Sequence, residues 1–135
     1  RLDVSHEYLK EFSLKLESRI ASHIEYQPKN IKVPQSLRFP YAAAEEDGTH
    51  YFTLNWLLND TPLSATQELA LIVLDHLLLG TTSSILYKTL LESGLGTSVT
   101  GGGLGDVLLQ FTYSVGLKGV KQENLEKIEA LVLTT

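Results

Sequence analysis

Hydrophobic and polar residues alternate most regularly at two places in the chain, and a period of two predicts β-strands. The first strand is Thr49–Leu58, which turns Phe52, Leu54, Trp56 and Leu58 to one face and mainly polar residues to the other. The second strand is Val107–Leu117, with large apolar side chains at every odd position. This pattern predicts that Trp56 lies in the interior.

Apolar residues have helical spacing in one segment before the first strand and in another between the two strands. An amphipathic helix is predicted from Leu2 to about Ile20. Ser64, with Gln67 three residues later, forms a capping-box signature for a helix that runs to Leu79 and ends at Gly80. That helix is apolar on nearly every side, so we expect more than one neighbour to cover it.

Two further helices complete the prediction. Ser83 or Ser84 can cap a helix at Ile85–Ser93, after which Gly94 suits a left-handed terminal residue. The last helix carries Leu125, Ile128, Leu131 and Val132 on one stripe. The order strand, helix, helix, strand, helix predicts an α+β fold, a two-layer domain with helices packed on one face of a mixed, mainly antiparallel sheet.

The chain divides into three predicted parts. Residues 1–24 form an entering helix, and residues 25–48 form a proline-containing linker with room for a short strand at Ile31–Val33. Residues 49–135 form the α+β domain, which we expect to be incomplete at its C-terminal end. Because the chain has no Met, not even at its start, we expect it to be cut from a longer protein.

Composition excludes several classes of partner. The 135 residues are 43% hydrophobic, enough for one packed core. The net charge is −5 and the 11 Lys and Arg residues are scattered, so no nucleic-acid partner is expected. The apolar runs are too short to cross a bilayer, so no membrane partner is expected either. Without Cys, neither a disulfide nor a thiolate site can form.

The stretch Asp75–Asp106 holds seven of the ten glycines, which raises the question of a phosphate-binding loop. Such a loop needs a second glycine five residues after the first, and then lysine. Counting from Gly80 the required position is Ile85, and counting from Gly96 the lysine position is Gly102. The motif is therefore absent, and the glycines are interpreted as helix ends and turns.

No catalytic constellation emerges from the polar residues. Zinc binding on one helix needs two His four residues apart, and none of the four His has that spacing. Asp75 and His76 are neighbours on a helix and point in different directions, so we expect His76 to bond a backbone group and Asp75 to face outward. Glu45–Gly48 is interpreted as a solvated turn because the ligand spacing of a calcium loop is absent.

Four blocks of sequence resemble one family. "LNWLLND" (Leu54–Asp60), Leu74–Gly96, "GGGLGDVLLQ" (Gly101–Gln110) and "SVGLKGV" (Ser114–Val120) resemble the presequence protease branch of the pitrilysin-like zinc metalloendopeptidases, the inverted-motif zincins. The resemblance implies a clam-shell peptidase of two halves, with zinc held by two His and a Glu of its first domain. No position here matches those motifs, and this chain resembles the second domain of the N-terminal half. We therefore expect Zn in the full-length parent and none bound by this chain.

The resemblance implies a structural role. The chain would be a non-catalytic domain of a parent that degrades presequences and other short unfolded peptides in a closed chamber, and alone it would hydrolyse nothing. Its partners would be the remaining domains and, through the chamber, peptide substrates. The parent would lie in the mitochondrial matrix or chloroplast stroma of a eukaryote, or in the bacterial cytoplasm. The alternative is a catalytically inactive, peptidase-derived interaction module, and the sequence does not exclude it.

One loop is a candidate for substrate contact. Gly80, Thr81, Thr82, Ser83 and Ser84 occupy the place of the glycine-rich loop of the related processing peptidase, which is thought to touch substrate. Here the loop is short, and helix termination and capping already account for its glycine and serines. A tight connector is the favoured interpretation, and a substrate-facing loop stays open. We also expect the excised chain to self-associate through its apolar helix.

Overall fold

The structure, a computed structural model, describes residues 2–10, 25–27, 34–42 and 50–135. The predicted continuation of the first helix to Ile20, the short strand at Ile31–Val33 and the turn at Glu45–Gly48 lie outside the described residues. The division into three parts stays a prediction. In chain order the elements are α1 (Leu2–Leu9), β1 (His50–Leu57), α2 (Ala65–Leu79), α3 (Ile85–Glu92), β2 (Ser98–Gly105), β3 (Thr112–Val120) and α4 (Leu125–Thr134).

The three strands form one sheet in the order β1-β3-β2, and both pairs of neighbours are antiparallel. Leu117 of β3 shows the register of the sheet, because it lies opposite Phe52 of β1 and opposite Val99 of β2. The helices α2, α3 and α4 pack on the apolar face of this sheet, which confirms the α+β prediction. Within the described part of the chain every strand pair is antiparallel.

The alternation predicted for β1 is confirmed. Phe52 and Trp56 are half-buried and pack against the core, whereas Tyr51, Thr53 and Asn55 on the opposite face are exposed. One face of an antiparallel sheet can remain in solvent while the other packs on helices. This strand therefore has the two-sided character that its sequence pattern indicates.

The ends of α2 also follow the prediction. The backbone N–H of Ser64 donates to Gln67 Oε1 at 2.9 Å, and the backbone N–H of Gln67 donates to Ser64 Oγ at 3.4 Å. These two bonds complete the capping box and satisfy two of the N–H groups that a helix start leaves unpaired. After α3, Gly94 adopts a left-handed φ of 66°, as predicted.

The prediction of one strand over Val107–Leu117 is wrong in its first half. The chain forms β2 earlier, at Ser98–Gly105, and then turns, so that Val107 is 92% exposed and Leu108 is 73% exposed. The second half is correct, since Val115 and Leu117 of β3 are fully buried. A strand, β2, was therefore missing from the predicted order.

The side chain of Asn59 holds the turn between β2 and β3 in place. Its buried side chain accepts a hydrogen bond from the Phe111 backbone N–H at 2.6 Å, and its amide donates to the carbonyl of Thr61 at 3.0 Å. The Leu58 N–H also donates to the Phe111 carbonyl at 2.8 Å. These contacts hold the turn against the end of β1, because a buried amide without partners would cost free energy.

The core lies between β3 and two of the helices. Leu90 of α3 and Ile128 of α4 are fully buried against the apolar face of β3. Phe52, Trp56, Leu78, Leu79 and Val99 are among the partly buried residues that surround this cluster. The complete buried set is Leu86, Leu90, Val115, Leu117, Val120 and Ile128.

The helix α2 is less covered than its sequence predicts. None of its residues is buried by the described part of the chain, and only its C-terminal end, with Leu78 and Leu79, joins the core. No described helix has both the length and the apolar character that a membrane crossing requires. The apolar side chains of α2 that remain exposed are Leu69, Ile72, Val73, Leu74 and Leu77.

Replacing Trp56 by alanine is expected to lower the free energy of unfolding by about 3 kcal/mol, the low end for such a substitution, because the ring is only half-buried. The ring also lies 6.1 Å from that of Tyr113. Urea denaturation followed by circular dichroism measures the change. Tyr51→Ala on the exposed face of the same strand is the control, with an expected loss of about 1 kcal/mol. Equal losses for the two variants would contradict the assigned faces.

Candidate functional site

The loop from Gly80 to Ser84 joins α2 to α3 and is closed by its own hydroxyl groups. The Ser84 hydroxyl is central: it donates to the His76 carbonyl at 3.0 Å and accepts from the Thr81 N–H at 3.0 Å. The Thr81 hydroxyl lies 3.1 Å from the same oxygen. Ser84 is buried and begins α3 as predicted. Its side chain bonds the end of α2 but does not bond the backbone of α3.

Most of the backbone donors of the loop are occupied. Four of its five N–H groups have acceptors: Gly80 bonds the His76 carbonyl, Thr81 bonds Ser84 Oγ, Ser83 bonds Thr81 Oγ1 and Ser84 bonds the Thr81 carbonyl. A phosphate cradle needs such groups to point together at the anion. In this loop the four bonded groups are directed at atoms of the loop itself and of the end of α2 instead. The side chains of Thr82 and Ser83 are exposed at its outer edge.

Asp75 faces the sheet, so the prediction that it faces outward is wrong. Its Oδ1 accepts a hydrogen bond from the Leu104 N–H of β2 at 3.0 Å, and its side chain is half-buried. Pairing between β2 and β3 is irregular between Thr100 and Gly103, and a bulge of this kind leaves backbone groups in need of other partners. The carboxylate supplies that partner. His76 is the exposed residue of the pair.

Gly103 permits this close approach of α2 to β2. Its backbone has a left-handed φ of 64°, which residues other than glycine rarely adopt. A Cβ atom at this position would also meet the Asp75 carboxylate. The glycine run and Asp75 therefore form one structural unit that joins the helix layer to the edge of the sheet.

Tyr113 lies close to this unit. Its hydroxyl is buried and has no hydrogen-bond partner within the described ranges of the chain. Burial, with a smaller contribution from the negative charge of Asp75, raises the pKa of Tyr113 to about 12. The phenol therefore stays neutral at physiological pH. Its contribution to the free energy of unfolding is fully present below about pH 10 and is lost as the pH rises towards about 12.

Replacing Asp75 by alanine should lower the free energy of unfolding by about 2–3 kcal/mol, because a charge-assisted hydrogen bond is lost and the Leu104 N–H is left unpaired. Asp75→Asn keeps an oxygen at the same place and should cost about 1 kcal/mol. Chemical denaturation of both variants measures the difference. The control is Glu129→Ala, an exposed acid on α4 with no expected effect above about 0.5 kcal/mol. A loss that small for Asp75→Ala would rule out the tether.

A depression of about 420 Å³ lies beside the start of α2. Glu68 and Ile72 of α2 line one side, and Asp106, Leu108 and Leu109 of the turn between β2 and β3 line the other. Glu68 and Ile72 are four residues apart, so they lie on the same face of the helix. The remaining lining residues are Tyr26, Asn59, Pro62, Leu63 and Phe111.

Gln110 fixes the linker beside this depression. Its side chain accepts a hydrogen bond from the Gln27 N–H at 2.6 Å and donates to the Gln27 carbonyl at 3.3 Å. It also donates to the Asn59 carbonyl at 2.9 Å. Residues 25–27 are thereby held against the turn between β2 and β3. Sequence reasoning missed this contact because glutamine in a turn gives no signal of its distant partner.

The described histidines are not grouped with other potential ligands. Among residues 2–10, 25–27, 34–42 and 50–135, no group of three or more His, Cys, Asp or Glu side chains is placed to hold a metal ion. His6 lies on α1, His50 at the start of β1 and His76 near the end of α2, while His23 lies outside the described residues.

Comparison with known proteins identifies the family. Residues 3–135 match the family model described as "Peptidase M16 inactive domain", and the chain therefore belongs to this family. The family description itself calls the domain inactive, in agreement with the prediction of a non-catalytic chain. The fold and the four blocks of sequence that resemble inverted-motif zincins are consistent with this membership.

Among individual proteins, the chain is similar to Presequence protease 1, chloroplastic/mitochondrial, of Arabidopsis thaliana, with 44% identity over 138 residues that cover 100% of this chain and 13% of that protein. It is similar to the mitochondrial Presequence protease of Schizosaccharomyces pombe, with 41% identity over 81 residues, 59% of this chain and 8% of that protein. It is also 31% identical to Protein HypA of Clostridium perfringens, over 98% of this chain and 13% of that protein. The chain thus spans about an eighth of the length of the relatives that it matches throughout.

Proposed function

We propose that this chain is a non-catalytic structural domain of a zinc metalloendopeptidase that degrades targeting presequences and other short unfolded peptides inside a closed chamber. The observation that carries the proposal is the 44% identity, along the whole chain, to a protein named as a presequence protease. The match to an inactive peptidase domain supports a parent in which other domains carry out the hydrolysis.

The proposed role is positional. Zinc would be held by another domain of the parent, where it would polarise the peptide carbonyl and activate water. This domain would keep the catalytic domain in place, because hydrolysis is sensitive to small errors in the position of the reacting groups. The exposed apolar side chains of α2, such as Leu69, Val73 and Leu77, support this role, since remaining domains of the same polypeptide would cover them. Without those domains, the same surface would drive self-association of the isolated chain.

The test compares the isolated chain with the full-length parent. A quenched fluorescent peptide is incubated with each protein in the presence of zinc, with and without a chelator. We expect chelator-sensitive cleavage by the parent and none by the 135-residue chain. Chelator-sensitive turnover by the isolated chain would refute the structural role. An inactive parent with a degenerate H-x-x-E-H motif would instead support the alternative, a peptidase-derived interaction module.

We place the parent in an organelle of a eukaryotic cell, either mitochondrion or chloroplast. The names of the relatives from Arabidopsis thaliana and Schizosaccharomyces pombe support this location, because they assign those proteins to these compartments. The similarity to a protein of Clostridium perfringens supports the other option, a bacterial cytoplasmic parent, less strongly at 31% identity. Immunofluorescence with organelle markers distinguishes the locations.

For the loop at Gly80–Ser84 we propose a connecting role, supported by its internal hydrogen bonds. In the parent, Thr82→Ala and Ser83→Ala should change KM for a peptide by less than about twofold, because a surface change away from bonded groups has little effect. Ser84→Ala should lower the free energy of unfolding by about 1–2 kcal/mol through its buried bonds. A rise in KM of tenfold or more for the first two variants, with unchanged stability, would assign the loop to substrate contact.

A further inference from the structure

The side chain of Gln110 binds both polar backbone groups of one distant residue. Its Oε1 accepts a hydrogen bond from the Gln27 N–H, 83 positions earlier in the chain, and its Nε2 donates to the Gln27 carbonyl. The same Nε2 also donates to the Asn59 carbonyl. The orientation of the amide is therefore determined, because exchange of its oxygen and nitrogen would turn a donor towards the Gln27 N–H.

The sequence favours this pairing at Gln27. Gln27 precedes Pro28, and a residue before proline is restricted to extended backbone. In extended backbone the N–H and C=O of one residue point to the same side, as they do in a hydrogen-bonded pair of antiparallel strands. One amide side chain can therefore bind both groups. We call the two bonds between the Gln110 side chain and the Gln27 backbone the clasp.

The clasp joins the linker to a well-ordered part of the domain. The buried Asn59 side chain bonds the backbone N–H of Phe111, the residue next to Gln110, and so holds the turn from which Gln110 projects. On the linker side, Tyr26 is half-buried and lines the same depression as Phe111. An apolar contact and a pair of backbone bonds thus hold neighbouring residues of the linker.

The place of the clasp along the chain limits how far the preceding segment can move. Gln27 is three positions from residue 24, where the predicted entering helix ends. An extended chain spans at most about 3.5 Å per residue, so this end stays within about 10 Å of the clasp. The ring contact between Tyr41 and Tyr51 would remain without the clasp. Tyr41 is 17 positions after residue 24, and a tether of that length reaches about 60 Å.

We propose that Gln110 is a positioning residue of the parent peptidase, because the clasp fixes the place at which the segment before this domain joins it. The inference rests on the proposed function, in which this domain keeps the catalytic domain in place. The clasp is the contact that would transmit this position along the chain. The role needs no contact of Gln110 with substrate or zinc, since it acts through the backbone of Gln27.

The first test measures the clasp in the 135-residue chain by hydrogen exchange and NMR. Gln110→Ala should make the Gln27 amide exchange about two- to tenfold faster, the effect of one lost hydrogen bond. Gln122→Ala, at an exposed glutamine after β3, is the matched control and should change nothing. Because the clasp consists of neutral groups, added salt should have no effect. An unchanged exchange rate in Gln110→Ala would show that the clasp does not form.

The second test measures the position of the linker. The chain has no cysteine, so Glu25→Cys and Glu129→Cys give two unique, exposed sites for spin labels. We expect a narrow distribution of label distances, which Gln110→Ala and Gln27→Pro should both broaden. Gln27→Pro removes the N–H that Gln110 binds and leaves the turn intact. Gln27→Ala retains both backbone groups and should keep the distribution narrow. Broadening by Gln27→Ala, or none in the other two variants, would overturn the inference.

The third test measures the consequence in the parent. Gln110→Ala and Gln27→Pro should lower kcat for a quenched fluorescent peptide by about three- to tenfold and change KM by less than about twofold, since alignment of the catalytic domain is affected. Zinc content should stay the same, and Gln122→Ala should have wild-type activity. Circular dichroism checks that the variants fold.

The three results separate the inference from the proposed function. Altered exchange and label distances together with an unchanged kcat would overturn the positioning role of Gln110. A parent without chelator-sensitive cleavage would refute the proposed function only. In that case the label distances in the isolated chain still decide whether Gln110 positions the linker, because they do not depend on catalysis.

Discussion

Replacing Leu90 by alanine is expected to lower the free energy of unfolding by about 3–5 kcal/mol, the upper range for a buried leucine. Leu90 is completely buried on α3, in the cluster that contains Val115 and Leu117 of β3 and Ile128 of α4. Removal of its side chain would leave a cavity at the point where two helices meet the sheet. The free energy lost therefore includes both hydrophobic transfer and the cost of the cavity.

The measurement is urea denaturation of the wild-type and variant chains, followed by circular dichroism. Leu133→Ala on α4 is the control: its side chain is 63% exposed, and a change below about 1 kcal/mol is expected. If Leu90→Ala cost no more than this control, the core would lie elsewhere.

Adding a single methyl group at Gly116 is expected to be nearly as damaging, with a loss of about 3 kcal/mol. Gly116 is buried in the central strand, opposite Thr53 of β1 and Thr100 of β2. A Cβ atom there would meet the Phe52 carbonyl oxygen and would lie 2.8 Å from the Thr53 Cα. Because these neighbours are backbone atoms, relief of the contact would require β1 to move away from β3.

Gly102→Ala provides the matched control for Gly116→Ala. Gly102 lies in β2, in the same sheet, but a Cβ atom there would have no neighbour within 4 Å. We expect a change below about 0.5 kcal/mol for this variant. Thermal unfolding of the two variants side by side gives the comparison. Similar melting temperatures would show that β1 and β3 are not as close as described.

The elements that sequence predicts well are those whose signals are local. In β1, side chains such as Phe52 and Trp56 alternate with polar ones, and this period alone determines which face meets the helices. The start of α2 is equally local, because Ser64 and Gln67 bond each other within one turn. Neither signal needs information from the rest of the chain.

The position of β2 could not be predicted from alternation. Three consecutive glycines, Gly101–Gly103, have no side chains whose burial could alternate, and two of them take left-handed φ values of 95° and 64°. Conversely, the regular alternation around Val107–Phe111 suggests a strand that does not form. The turn is determined by Asn59, whose partner Phe111 is 52 residues away in sequence.

The orientation of Asp75 illustrates a second limit. On an amphipathic helix, the apolar stripe indicates which polar residues face solvent. Because α2 is apolar on nearly all sides, it has no such stripe, and the inward direction of Asp75 depends on an unpaired N–H group of β2 that the sequence does not reveal. The loop at Gly80–Ser84 lies between two helices, as its sequence predicts, but the sequence does not reveal the hydrogen bonds inside it.

The interrupted pairing of β2 also has a consequence for hydrogen exchange. β3 is bonded to a neighbour on each side, whereas the register between β2 and β3 shifts between Thr100 and Gly103. Amide protons in the middle of β3 should therefore exchange only when the whole domain unfolds, while β2 can detach in smaller fluctuations. Such partial opening would separate Leu104 from Asp75 first. The strand β2 and the helix α2 would therefore come apart before β1 and β3 separate.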